Sequence, residues 1–198
     1  MGHAGAAAAA VRYLRSEHRS PGVEPLPRPE LRCVRDDERA PVEQAEFRRV
    51  LGSFATGVTV VTAPASDGED GPAGFACQSF SSLSLDPPLV VFLVGRTSTS
   101  WPRIARAGVF CVNVLEAGQG ELCRAFAVRG ADKFAGVEYD EAPVSGSPRL
   151  TGTLAWIDCT VHAVHTGGDH LLVVGRVDAL GTADTDAAPL LFHKGRFL

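Results

Sequence analysis

A mainly β fold, an antiparallel barrel with short helices set between its hairpins, is what this sequence predicts, and three observations carry the expectation. Six stretches have strand length and strand composition: Val58–Thr62, the segment opening at Gly74, Leu89–Gly95, Val109–Leu115, Leu154–His165 and Leu171–Leu180. Short turns join neighbours, most clearly Gly167-Gly168-Asp169 between the last two and the Asp- and Gly-rich run from Pro64 to Gly71. The chain also lacks G-x-G-x-x-G after a strand and G-x-x-x-x-G-K-[ST], which removes the common parallel-sheet nucleotide folds. A closed antiparallel barrel accommodates six strands and short helices of this kind.

Taken in order, residues 1–40 differ from the rest. An alanine tract is followed by Pro21, Pro25, Pro27 and Pro29 among seven arginines and six acids, a mixture expected to stay disordered or drape over a partner. The domain boundary is placed near Ala40-Pro41, leaving 41–198 as the folded unit. A helix opens it, because Phe47, Val50, Leu51 and Phe54 fall at i, i+3, i+4 and i+7, with Gly57 as the expected cap. The run Leu89–Gly95 is apolar throughout, so burial on both faces is expected. Ser100 as N-cap, Pro102 in the first turn and Gly108 as the stop predict a short helix with Trp101, Ile104 and Ala105 facing the core. A second helix is read over Gly118–Val128, and Ala131–Gly152 as irregular. Strict alternation then places Ala155, Ile157, Cys159, Val161 and Ala163 on one face of a long strand.

Composition narrows the function. A chain of 198 residues, 45% hydrophobic, suits one domain that buries about 70% of its unfolded surface. A net charge of -4 and pI near 5.8 supply no basic field for nucleic acid or an anionic membrane. No apolar run approaches the ~20 residues of a membrane span, and MGHAGAAAAAV carries neither a leader pattern nor a myristoylation pattern; a cytoplasmic location is expected. Cys33, Cys77, Cys111, Cys123 and Cys159 show no C-x-x-C spacing, and the His162/His165 pair falls on a strand, where residues three apart face opposite ways. Neither a disulfide framework nor a metal site is indicated. G-x-S-x-G and H-E-x-x-H are absent too, and no catalytic side-chain constellation stands out.

The stretch Gly74 to Trp101 carries the chemistry. Ser79, Ser81, Ser82 and Ser84 follow one strand, and Arg96-Thr97-Ser98-Thr99-Ser100 follow the next. Singly, each serine is explained as a turn or cap residue. Jointly, hydroxyls and free N–H groups at strand ends suit an anionic ligand or the polar edge of a planar cofactor.

Several segments together resemble the flavin reductase family, whose fold is the FMN-binding split β-barrel, antiparallel and Greek-key in connection. They are Phe47–Gly52, Phe54–Thr62, Ser79-Phe80 with Ser84–Leu89, Asp132-Lys133-Phe134 and Gly168-Asp169-His170, spread in order over nearly everything from Phe47 to Phe197. The variants Gly74–Phe80, Phe110–Leu115 and Trp156–Val161 are similar to reductase components serving the actinobacterial secosteroid hydroxylase and related two-component flavin-dependent monooxygenases.

That resemblance implies a homodimeric NAD(P)H-dependent reductase. It would treat FMN or FAD as an exchangeable substrate, use NADH or NADPH, and pass reduced flavin to a separate monooxygenase. By position, Gln78, Ser79, Phe80, Ser81, Ser82 and Ser84 would line the isoalloxazine and ribityl chain, with Cys77 packing beside them. Ala76 and Gln78 replace the Thr and Asn or Ser of the commoner pattern. Arg96, Ser98, Thr99, Ser100 and Trp101 would hold the phosphate side, and His170 would lie near the nicotinamide. Direct hydride transfer asks little of acid–base groups, consistent with the missing constellation. A non-catalytic flavin-binding or flavin-carrying barrel, and a ligand-free interaction barrel, remain as alternatives.

Overall fold

The computed structural model describes residues 41–130 and 132–198. The expectation for residues 1–40 lies outside the described residues. Helix α1 (Gln44–Leu51) forms where expected, steadied by the Glu46–Arg49 pair one turn apart at 2.6 Å. It stops earlier than the apolar spacing suggested: the Gly52 N–H closes onto the Arg48 carbonyl at 2.9 Å, which leaves Phe54 beyond the helix and Gly57 in a strand. Phe47, Val50, Leu51 and Phe54 are all exposed.

Strands β1 (Thr56–Gly57), β2 (Thr59–Ala63), β3 (Ala73–Cys77), β4 (Ser81–Leu85) and β5 (Pro88–Gly95) precede helix α2 (Trp101–Ala107). Then come β6 (Val109–Val114), helix α3 (Gly120–Ala127), β7 (Tyr139–Glu141), β8 (Pro148–Leu150), β9 (Ala155–Gly167), β10 (His170–Thr182), β11 (Leu191–His193) and β12 (Arg196–Phe197). Seven strands make one sheet in the order β3-β2-β6-β9-β10-β5-β4, every neighbouring pair antiparallel. Its two ends curl together, and β3 comes alongside β5 without pairing to it.

The interior of this curl is the main core. Phe92 of β5 is its hub, edge-on to Phe110 of β6 at 5.2 Å and to Trp101 of α2 at 6.2 Å between ring centroids. Trp101, Ile104 and Ala105 of α2 are buried as the cap pattern required. A second cluster, including Val58, Val60, Leu115 and Phe126, sits outside β2 under α3. The strands buried on both faces are therefore β2 and β6, not β5. On β5 only Val90, Phe92 and Val94 point inward, while Leu93 is 38% exposed, because no helix covers that side.

Three further differences have local causes. The serine run is itself strand β4, paired along β5 and turned at Asp86-Pro87. The irregular stretch holds the β7–β8 hairpin, docked by Asp158, whose buried carboxylate accepts the N–H groups of Val144 (2.9 Å) and Ser145 (3.1 Å). In β9 the alternation slips where His162 bulges opposite the Val174/Gly175 junction, so Val164 rather than Ala163 enters the core. That slip leaves His162 and His165 both exposed; no group of three His, Cys, Asp or Glu among the described residues could hold a metal. At Gly175 a Cβ would lie 2.4 Å from the Phe110 ring, so glycine makes room for the core aromatic. Chain ends β11 and β12 form a hairpin turned at Lys194 and Gly195, both at positive φ, and β1 completes their three-stranded sheet.

Candidate functional site

The seam between β3 and β5 is where polar groups and open space coincide. Ser79 closes it with one hydroxyl: the Leu93 N–H donates to Ser79 Oγ at 2.9 Å, and the same oxygen donates to the Leu93 carbonyl at 3.1 Å. A side chain thus does what a ladder residue of the missing strand pair would do. Cys77 sits against it, Sγ 3.3 Å from Ser79 Oγ, and burial pushes its thiol up from the ordinary value, which disfavours the reactive thiolate.

Outside this seam lies a cleft of about 520 Å³, a volume ordinary for a small-molecule site. Phe75, Ala76, Gln78 and Leu93 form one wall. The opposite wall comes from α3 and the C-terminal hairpin: Arg124 lies 5.1 Å over the Phe197 ring, and Phe197 meets Phe192 edge-on at 5.5 Å. Gly95 and Ser98 close one end together with His170. His170 opens β10 opposite Gly95, and its Nδ1 is 2.8 Å from Asp169 Oδ1. That contact holds the Asp169 carboxyl below its usual range, so it is ionised at neutral pH, and an ionised acceptor fixes the imidazole proton on Nδ1. Nε2 is then the nitrogen left for a ligand.

Of the sequence-derived residues, the cleft gathers Ala76, Cys77, Gln78, Ser79, Ser98 and His170. Thr99 and Ser100 line two further hollows, one of about 210 Å³ that shares Phe75, Ala76, Ser98 and Ala127 with the cleft and one of about 520 Å³ beyond it. Ser100 is buried and donates to the Gly74 carbonyl at 2.8 Å; the helix cap comes from Ser98, whose oxygen accepts the Trp101 N–H at 3.2 Å. The Trp101 indole is buried in the core. Phe80 likewise packs inward. Ser81, Ser82 and Ser84 stand apart on β4, the outer edge strand, with Ser81 and Ser82 exposed. The exposed Arg96 side chain lines neither the cleft nor its two neighbours.

Sequence reasoning missed Arg124, Phe192, Phe197, Arg129 and Lys133 as site-side residues. Only Lys133 carried a signal, through Asp132-Lys133-Phe134. Its ammonium donates to the carbonyls of Gly74 (3.1 Å) and Phe126 (3.0 Å) and to Ser100 Oγ (3.3 Å), and burial draws its pKa down from the ordinary value.

A curled antiparallel sheet, with an aromatic-walled cleft on the seam between β3 and β5 and hydroxyls and cations at its end, defines a binder of planar ligands. The chain belongs to the flavin reductase family: the model described as "Flavin reductase like domain" matches residues 51–198. It is 51% identical over 157 residues to the reductase subunit HsaB of a flavin-dependent monooxygenase from Rhodococcus jostii, covering 79% of this chain and 77% of that protein. A solved homolog of nitrilotriacetate monooxygenase component B from Mycobacterium thermoresistibile superposes with a TM-score of 0.74 at 49% identity, over 78% of this chain and 85% of that one. An NADH:FAD oxidoreductase of Streptomyces globisporus, solved with NAD and FAD fragments, gives 0.73 at 38% identity, over 79% and 92%.

Proposed function

We propose that this protein is an NAD(P)H:flavin oxidoreductase that supplies reduced FMN or FAD to a separate monooxygenase component. The observation that carries it is the seam cleft itself, flat and apolar along Phe75, Ala76 and Leu93, with the Asp169-oriented His170 at one end and Phe192 and Phe197 facing it. When bound there, a flavin supplies the acceptor for a hydride from reduced nicotinamide. The protein's part is to hold two ring systems face to face and keep water from between them. Phe75, Ala76 and Leu93 offer one ring an apolar floor, Gln78 offers its amide to a polar edge, and His170 Nε2 is placed for the carboxamide of the second ring. Ser79 shapes the floor by holding the seam shut.

The apolar row Phe47, Val50, Leu51 and Phe54, exposed in one chain, supports a homodimer. Among the described residues Cys77, Cys111, Cys123 and Cys159 are unpaired and buried, which supports a reducing, cytoplasmic setting. The catalytic unit is 41–198. The test is oxidation of NADH with and without added FMN or FAD, repeated on His170→Ala. Flavin-dependent oxidation is expected in the wild type. The variant should raise the NADH constant about three- to tenfold, the loss of one hydrogen bond, and move the flavin constant less. Flavin binding with no NADH oxidation would instead identify a flavin carrier.

A further inference from the structure

We infer that Arg124 is a positioning residue for the second ring: it seats Phe197 on helix α3 and so sets the gap between the Phe197 ring and the floor of the cleft. This rests on the two-ring reading of the cleft given above. Gly120 and Arg124 stand four residues apart, on one face of α3. The Phe197 ring lies over that face. A Cβ on Gly120 would come to 3.3 Å from its Cδ2, and the Arg124 guanidinium carbon is 5.1 Å from its centroid. Bare backbone at one end and a cation over the π face at the other make a notch that takes one aromatic ring.

The two sides of the cleft are held by different means. Helix α3 is fixed to the floor strand β3: Phe126 is buried against Gly74, where a Cβ would lie 2.7 Å from its ring, and the Lys133 ammonium donates to the carbonyls of both residues. The C-terminal hairpin is held at its inner strand. There β11 pairs with β1, and the Lys194 N–H donates to the Gly52 carbonyl at 2.9 Å. Strand β12, which carries Phe197, is paired among the described residues to β11 alone. The seat on Gly120 and Arg124 therefore ties this edge to the fixed side. Arg124 is less suited to binding an anion directly, because Glu121, one turn earlier, already pairs with its Nη1.

The experiment compares two hydride donors, NADH and a phosphate-free N-benzyl dihydronicotinamide, on wild type, Arg124→Met, Arg124→Lys and Phe197→Leu at saturating FMN. Arg124 is exposed, so its replacement leaves the fold in place, which circular dichroism checks. Arg124→Met keeps the length of the side chain and loses the cation. It should raise the Michaelis constants of both donors about two- to fivefold, the size of one exposed cation–π contact, with kcat falling less than these constants rise and the flavin constant held within about twofold. Arg124→Lys, which keeps a cation, should lose less. In the Phe197→Leu background, Arg124→Met should add nothing further. A loss confined to NADH would make Arg124 a direct ligand of the dinucleotide's phosphates, and additive losses in the double variant would cut the link through Phe197. Unchanged donor constants, or an equal rise in the flavin constant, would remove the positioning role. Each of these overturns the inference and leaves the two-ring cleft standing; a wild type that oxidises neither donor in the presence of flavin overturns both.

Discussion

Ser79 is where residue identity and architecture meet. Its hydroxyl satisfies both main-chain groups of Leu93 across a seam that has no ladder, so the residue sets how far β3 and β5 can part. Ser79→Ala leaves an N–H and a carbonyl to water or to nothing. The expected cost is about 0.5–1.5 kcal/mol in urea unfolding, because Leu93 is exposed enough for water to replace the hydroxyl, with faster hydrogen exchange at the Leu93 amide and a raised flavin constant. Unchanged stability together with unchanged Leu93 protection would show that the seam does not depend on this hydroxyl. Sequence alone showed a serine after a strand, which is as good a turn residue as a bridging one. Only the third dimension, bringing residue 79 to residue 93, distinguishes the two. Arg124, on the cleft wall, escaped notice for the same reason, since nothing local separates it from any other helical arginine.

At the scale of elements, the legible parts were those whose cause is local. The β9–β10 hairpin followed from its Gly-Gly-Asp turn and α2 from Pro102 and Gly108, because turn and cap geometry is set within a few residues; the capping oxygen itself is that of Ser98 and not of Ser100. What depends on a distant neighbour was not legible. An all-apolar β5 looks the same whether one face or both are covered, and β2 and β6 are the doubly covered strands because α3 and β8 happen to pack over them. Strands β11 and β12 are too short to show a period, yet they carry the aromatic wall of the cleft. The bulge in β9 belongs to this group, for it answers Gly175 on the partner strand. Gly175→Ala would force a methyl to 2.4 Å from the Phe110 ring and is expected to cost about 1–3 kcal/mol. Combined with Phe110→Leu, it should cost less than the two single changes summed, since the smaller side chain frees the space. Additive losses in denaturant titrations would mean that the glycine serves the bulge's backbone and not the ring.

Across the whole molecule, a single chain leaves apolar surface uncovered and a ligand cleft only partly walled. Phe54 is 76% and Phe47 56% exposed on an N-terminal segment that offers them no intramolecular partner among the described residues. A second copy covering about 800 Å² per subunit would remove such a row from water, so wild type is expected to sediment as a dimer. The pair Phe47→Glu and Phe54→Glu should sediment as a monomer at the same concentration, and a monomeric wild type would refute this use of the row. The remaining prediction concerns exchange. A reductase that feeds a separate oxygenase must release its flavin, and the cleft is built for that: its walls come from β3, α3 and the C-terminal hairpin, and its polar contacts are few. Few polar contacts on an open face support affinity on the order of micromolar, about 8 kcal/mol, rather than the nanomolar range of a resident prosthetic group. The purified protein is therefore expected to lose its flavin on dialysis and to recover full NADH oxidation when FMN or FAD is returned, with both steps followed by flavin absorbance. Near-stoichiometric flavin surviving exhaustive dialysis would place the cofactor permanently in the cleft and rule out delivery by diffusion.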